Sequence, residues 1–288
     1  AHRGHRADKV LGSVTSVLTS VRSVTKGFLQ KSVIDAGSAR VVKGKKINRA
    51  RAKSRRGPRR GRPPKGDEIM FAAMFYVLRT GIPWRDLPER FGPWGSVYTR
   101  FRRWCAMGLF ARLLAAVAKG AKGELRYIDC SHIKLHQDGS NPRGGQAAQA
   151  IGRTKGGINT KLAAIVERGG RAVALGLAEG QRHDLLAVEP LLGCLRQRCV
   201  VGDKGFDADN FRARLRRQHT RVCIPPKSSH RCPAAFHRGY YRCRHKIENF
   251  FCRIKRHRRI STRFEKLAVT FLAFVQFAAV LDWLTHRF

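Results

Sequence analysis

Between residues 125 and 225 the chain alternates short apolar runs with helical stretches, and that alternation limits the possible folds more than any other feature. The runs Leu125–Ile128, Leu162–Val166, Val173–Leu177, Cys199–Val201 and Val222–Ile224 are rich in β-branched residues and bounded by Gly, Pro or charge, as strands are. Between them, Asp184–Leu195 and Asp207–Arg217 read as helices, each headed by an aspartate suited to the N-cap. Three strands, then helix, strand, helix, strand and helix predict an α/β domain with a mixed five-stranded sheet covered by helices.

A helical region comes first. Asp67-Glu68 opens an apolar segment through Ile69, Phe71, Met74, Phe75 and Leu78 that stops at Thr80-Gly81. A short helix is expected around Trp84–Arg90, then a turn at Gly92-Pro93-Trp94-Gly95, with Ser96 as N-cap of the next helix. In that helix Val97, Phe101 and Trp104 fall at i, i+4 and i+7, which turns Tyr98, Arg100 and Arg103 outward. A helix-turn-helix presents its recognition helix in this way; an ordinary three-helix bundle with a basic outer face shows the same spacing. The last helix, Leu267–Leu284, is apolar over 18 residues but is interrupted by Thr270, Gln276 and Asp282. It falls short of the ~20 residues a bilayer core requires. It is expected in the core, not in a membrane.

Charge defines the partner. Against 19 Asp+Glu stand 59 Lys+Arg, a net charge of +40 over 288 residues. Self-repulsion on that scale favours a polyanionic partner, nucleic acid before an anionic membrane. Residues 1–66 carry a net +17, which leaves +23 for the rest, so the body is basic in its own right. Residues 40–65 hold 13 Lys+Arg and no acid, ending in Arg59-Arg60-Gly61-Arg62-Pro63-Pro64-Lys65. Such a run is a solvated arm that can drape along phosphates and enter a minor groove through Arg60 and Arg62, and is expected to be disordered without DNA. The expected organisation is a basic arm over 1–66, a helical DNA-binding region over 67–120 and a sheet domain over 121–288. The first thirty residues lack a secretory apolar stretch, and the eight cysteines contain no CxxC pair. Reduced thiols and a cytoplasmic, nucleoid-associated location are expected. A Cys/His site from Cys223, Cys232, His237 and Cys243 is the alternative, with spacings looser than zinc fingers favour.

Two aspartates stand where strands should end: Asp129 after Arg126-Tyr127-Ile128, and Asp203 after Cys199-Val200-Val201-Gly202. Side chains at the carboxyl ends of strands in an α/β sheet converge on the ligand crevice; either aspartate alone would serve equally as a cap or turn former. Tyr241, Arg244, Glu248 and Lys255 are separated by 3, 4 and 7 residues. At ~100° per residue they share an arc of roughly 60° on one helix, with Ile247, Phe250 and Ile254 opposite. A surface helix with one weak salt bridge from Glu248 to Arg244 or Lys255 would show the same spacing. Three carboxylates can hold two hard divalent cations, Mg²⁺ or Mn²⁺, ~3.5–4 Å apart, for in-line attack at a phosphodiester. Arg244 and Lys255 would then grip the flanking phosphates.

Asp129, Asp203 and Glu248, with Tyr241, Arg244 and Lys255 at these spacings, resemble the tyrosine-arginine-glutamate-lysine pattern of DDE transposases from bacterial insertion sequences. GIPWRDLPERFGPW (81–94), IGRTKGGINTK (151–161), EGQRHD (179–184), VGDKGFDAD (201–209) and IENFFCRIKRHRRISTRFEK (247–266) are similar to the insertion sequence five family in particular. The resemblance covers residues 59–288. It implies an RNase H-like core with Asp129 on the first strand, Asp203 after the fourth and Glu248 on a late helix. It implies metal-dependent cleavage at terminal inverted repeats, strand transfer into target DNA, and a homodimer or larger homo-oligomer in the synaptic complex. Lys155, Lys161 and His183 become candidate DNA or substrate contacts. Two features depart from the family. Residues 1–57 are basic where it has an acidic, Leu-rich helical segment, and the 45-residue separation of Asp203 from Glu248 leaves no room for a large β insertion. End recognition then falls to the helical region and the arm. A nuclease or resolvase with the same core, and a repressor or inactive remnant that binds DNA without cutting it, are the competing readings.

Overall fold

The computed structural model describes residues 66–228 and 234–285. The sheet with its helices belongs to the unit Ala73–Phe288. Residues 1–65 of the expected arm, with Arg60 and Arg62, lie outside the described residues, as does Cys232.

Helix α1 (Asp67–Thr80) has the expected bounds. Gly81 ends it at φ +74°, its N–H donating to the Val77 carbonyl at 2.8 Å. A Cβ here would lie 2.9 Å from the Arg258 Cβ. Gly81→Ala is therefore expected to destabilise the fold by about 1–3 kcal/mol, from left-handed strain and the clash together. A thermal melt unchanged from wild type would contradict this.

The single helix expected at Trp84–Arg90 is instead two 3₁₀ turns, Trp84–Asp86 and Glu89–Phe91. Pro88 has no N–H to continue a helix and holds Leu87 extended, at φ −65° and ψ 126°. Helix α2 (Trp94–Ala106) begins earlier than expected. Pro93, not Ser96, takes the N-cap position, and its carbonyl accepts the Ser96 N–H at 3.0 Å. Val97, Phe101 and Trp104 are buried as their spacing predicts. After Gly108 at φ +63° comes α3 (Leu109–Ala118).

The sheet contains β1 (Leu125–Leu135), β2 (Gly152–Thr154), β3 (Gly157–Glu167), β4 (Ala172–Glu179), β5 (Cys199–Val201), β6 (Arg221–Cys223) and β7 (Thr262–Arg263). Its five main strands run in the order β4-β3-β1-β5-β6, with β3 antiparallel to both neighbours and β1, β5 and β6 parallel. This is the mixed sheet of an RNase H-like core. The short strands β2 and β7, absent from the sequence reading, extend the edge of β3 and the end of β1. Leu162–Val166 on β3 are fully buried, because helices cover both faces.

One face is covered by α4 (Asp184–Val188), the 3₁₀ stretch Glu189–Leu195 and α5 (Asp209–Arg217), packed on Ile128, Ile165 and Val200. Pro190 stands where the expected helix Asp184–Leu195 turns from α to 3₁₀. Neither helix-heading aspartate is an N-cap: His183 caps α4, and Ala208 precedes α5. Asp207 is buried instead against Arg212, at 2.6 Å. The remaining helices are α6 (Arg238–Arg242), α7 (His245–Lys255), α8 (Arg258–Ser261) and α9 (Ala268–Thr285). Among the described residues α9 alone has the length and apolarity of a membrane span, but it is a core helix. Phe274 stacks on Phe101 at 4.5 Å, the Trp283 indole donates to the Ala172 carbonyl at 2.6 Å, and Asp282 is paired with Arg253 at 2.7 Å.

Candidate active site

Register brings the two aspartates together. Tyr127 on β1 lies opposite Val201 on the parallel β5. Asp129 and Asp203 each follow two residues later, so they leave neighbouring strands, ~4.8 Å apart, at the same level. Asp203 departs from the sheet after Gly202 and accepts the Gly205 N–H at 3.0 Å. Asp129 accepts the Cys130 N–H at 2.8 Å. Burial raises the Asp129 pKa above the ordinary carboxylate range; its own hydrogen bond and Arg244 oppose the shift, and the Asp203 charge adds to it. The two carboxylates therefore share one electrostatic neighbourhood.

Alternation on β1 points Asp129 and Ser131 to the face covered by α7. Ile247, Phe250 and Ile254 are buried and anchor that helix to the core. The expected single helix carrying Tyr241 to Lys255 is broken, however. Cys243, at φ −81° and ψ 6°, separates α6 from α7, so Tyr241 sits on the earlier helix and Arg244 at the cap of the later one. The break lets the Arg244 guanidinium reach across: it donates to Asp129 at 2.9 Å and also pairs with Glu248. Burial alone would lower the Arg244 pKa, but Asp129 and Glu248 outweigh it and hold the pKa above its ordinary value. Lys255 donates to the Ser131 hydroxyl at 2.7 Å and the His132 carbonyl at 3.1 Å, and burial lowers its pKa.

Arg244 and Asp203 thus act on Asp129, and the charges of Asp129, Glu248, Tyr241 and Asp203 act on Arg244. The donor set is three carboxylates, the hard-oxygen chemistry that suits Mg²⁺ or Mn²⁺ and not a thiolate metal. Among the described residues no three His, Cys, Asp or Glu side chains are gathered closely enough to hold a metal ion, and Asp129, Asp203 and Glu248 are included in that. Arg244 stands between Asp129 and Glu248 in this arrangement. The same observation leaves Cys223, His237 and Cys243 ungathered, and the seven described cysteines are free thiols.

The other predicted contacts are scattered. Tyr98, Arg100 and Arg103 lie on α2, with Arg100 over the Trp104 ring at 5.8 Å. Lys155 is exposed at the tip of the β2–β3 hairpin. His183 is exposed, and its ring accepts the Leu185 N–H at 3.3 Å. Lys161 is a correction. It is 6% exposed, with its ammonium on Asp184 at 2.5 Å and on the Arg182 carbonyl, so it is a structural cation and not a surface contact. The sequence reading missed Ser131, which period-two alternation from Asp129 could have found.

Two family models match separate parts of the chain. Residues 46–114 match "Putative transposase of IS4/5 family" and residues 200–285 match "Transposase DDE domain". The chain is 33% identical over 131 residues to the "Putative transposase for insertion sequence element IS6501" of Brucella ovis, covering 44% of this chain and 99% of that protein. It is 35% identical over 91 residues to the "Uncharacterized protein y4sN" of Sinorhizobium fredii, covering 32% of this chain and 69% of that protein. Among solved structures, the Mos1 transposase paired-end complex with left transposon end aligns at 12% identity and a TM-score of 0.25, over 69% of this chain and 81% of that one.

Proposed function

Because the chain belongs to the insertion-sequence transposase family, we propose that it cleaves DNA at the terminal inverted repeats of its own element and joins the freed 3′ ends to target DNA. The observation that carries this reading is the in-register placement of Asp129 and Asp203, with Glu248 tied to the guanidinium that also holds Asp129. The order Tyr241, Arg244, Glu248, Lys255 supports the insertion sequence five branch within the family.

Asp129, Asp203 and Glu248 would hold two Mg²⁺ or Mn²⁺ ions, which when bound lower the barrier to in-line displacement at phosphorus. The protein's own groups do the rest. Arg244 gives up its carboxylate partners and turns to a phosphate beside the scissile bond, where a bidentate guanidinium contact fixes orientation. Lys255 keeps the Asp129 strand in place through Ser131 and His132. Tyr241 lies beside the same phosphate path. Tyr98, Arg100 and Arg103 on α2, and Lys155 at the hairpin tip, contact the DNA backbone away from the cut. Joining two element ends calls for at least a homodimer, acting on nucleoid DNA in the cytoplasm.

A duplex carrying the terminal repeats that flank the gene tests the reading. With Mg²⁺ the full chain should nick at the element boundary and leave a free 3′-hydroxyl, and chelation should stop it. Equal nicking of a scrambled end would overturn it. The arm should act through charge alone. Deleting residues 1–58 is expected to weaken duplex binding and flatten its dependence on salt, since every phosphate that the arm no longer neutralises takes about 0.9 off the slope of log K against log salt. An unchanged slope would assign recognition to the rest of the chain.

A further inference from the structure

A second cleft lies beyond the far end of β1. Two adjoining cavities of about 600 and 420 Å³ share Trp84, Tyr98, Asp138, Arg259 and Phe264 in their walls. From Asp129 strand β1 runs six residues further, to Leu135, before the chain reaches Asp138. That is about 20 Å at ~3.3 Å per residue, so the cleft is separate from the acid site.

Its walls combine aromatic rings with cations. Trp84 lies 5.4 Å from Tyr98 and 5.3 Å from Phe101, fixed from behind by Phe274 at 5.9 Å. Phe264 carries the Arg259 guanidinium at 5.1 Å. Trp94 on the smaller cavity is 40% exposed, with Arg85 at 5.8 Å from its ring. Arg102, Arg143 and Lys266 are exposed where they line the larger one. Glu265 lines that cavity too and is 7% exposed. Its Oε1 accepts from Arg259 at 2.6 Å, but its buried Oε2 has no hydrogen-bond partner. A buried acceptor left in that state calls for a donor.

We propose that this cleft takes an unpaired nucleobase bearing an exocyclic amino group, with its flanking phosphates held by Arg85, Arg102, Arg143 and Lys266. Every base has a face that stacks on aromatic rings, and the surrounding cations track the backbone. The unpartnered carboxylate oxygen in the wall adds selection. It accepts from an amine such as cytosine N4, whereas the ring N–H of thymine is flanked by two carbonyl oxygens that a carboxylate repels. The volume suits one base with its sugar. Position fits as well, because Tyr98 and Arg102 belong to α2, the helix read as facing DNA.

The inference rests on the DNA-binding reading, and one set of duplexes separates the two. Four duplexes of equal length are compared by fluorescence anisotropy with the full chain: fully paired, with one unpaired dC, with one unpaired dT, and with an abasic residue at that place. The dC duplex should bind about tenfold tighter than the abasic and dT duplexes. Trp94→Ala and Tyr98→Ala, each checked by its melting curve, should reduce that preference to near unity. A dC duplex bound no tighter than the abasic or the dT duplex would overturn the inference, as would a preference unchanged in both variants. Failure to bind any of the four would defeat the DNA-binding reading itself.

Discussion

Asp129→Asn, Asp203→Asn and Glu248→Gln are each expected to lower strand cleavage by about 10³-fold or more. A metal site supplies several kcal/mol of transition-state stabilisation, and each 1.4 kcal/mol is about tenfold in rate. The replacements are close in shape. An amide oxygen at 129 or 203 can still accept the Cys130 or Gly205 N–H, so the local turns persist. Each also removes a negative charge from a surface that meets phosphates, so duplex affinity should hold or rise. Cleavage of a labelled terminal repeat in Mg²⁺, beside a binding titration, checks both halves. Wild-type cleavage by any one variant would remove that residue from the set, and parallel loss of binding and cleavage would point to unfolding.

Arg244 gives a sharper contrast. In the structure it neutralises Asp129 and Glu248, two of the three acids the chemistry needs. Its removal therefore acts in two directions: it frees the carboxylates for cations and withdraws a phosphate contact. Arg244→Gln should then bind Mn²⁺ tighter than wild type while cleaving more slowly, a split that no carboxylate variant shares. Weaker Mn²⁺ binding would mean that the guanidinium organises the acids and does not compete for them.

What the sequence makes legible follows from how local each signal is. Cys199–Val201 is found because three consecutive apolar residues end at Gly202, and the same stop places Asp203 at the strand end. The hairpin strand Gly152–Thr154 is invisible because three residues without an apolar run carry no period, and only pairing with Gly157–Asn159 makes them a strand. Helical spacing put Tyr241 and Arg244 on one stripe with Glu248, but periodicity presumes an unbroken helix and does not register the break at Cys243. The link from Arg244 to Asp129 spans 115 residues and has no local trace at all. Lys161 misled for a related reason. A basic, Gly-rich stretch reads as surface, yet β3 is covered on both faces, and the buried Lys161 ammonium must find a partner, which is the half-exposed Asp184 carboxylate.

Asp207→Ala should cause one of the largest losses of stability in the domain, about 3–5 kcal/mol and a fall in melting temperature of roughly 10 °C. Asp207 is 2% exposed and Arg212 4% exposed, so the remaining guanidinium would be a buried charge without its carboxylate. Two backbone contacts depend on the pair: Asp207 accepts the Lys227 N–H at 2.7 Å, and Arg212 donates to the Ile224 carbonyl at 2.8 Å. Together they tie the start of α5 to the segment that follows β6. The double variant Asp207→Leu with Arg212→Met should recover at least half the loss, because it removes both charges and refills their volume. Asp203 is four residues upstream, at the other end of the 3₁₀ turn that Asp207 ends, so Asp207→Ala should also slow cleavage, while Asp203→Asn slows it without lowering the melting temperature. A single variant that melts within about 2 °C of wild type would show that water reaches Arg212 and that the turn carrying Asp203 is held by Phe206 and Gly202 instead.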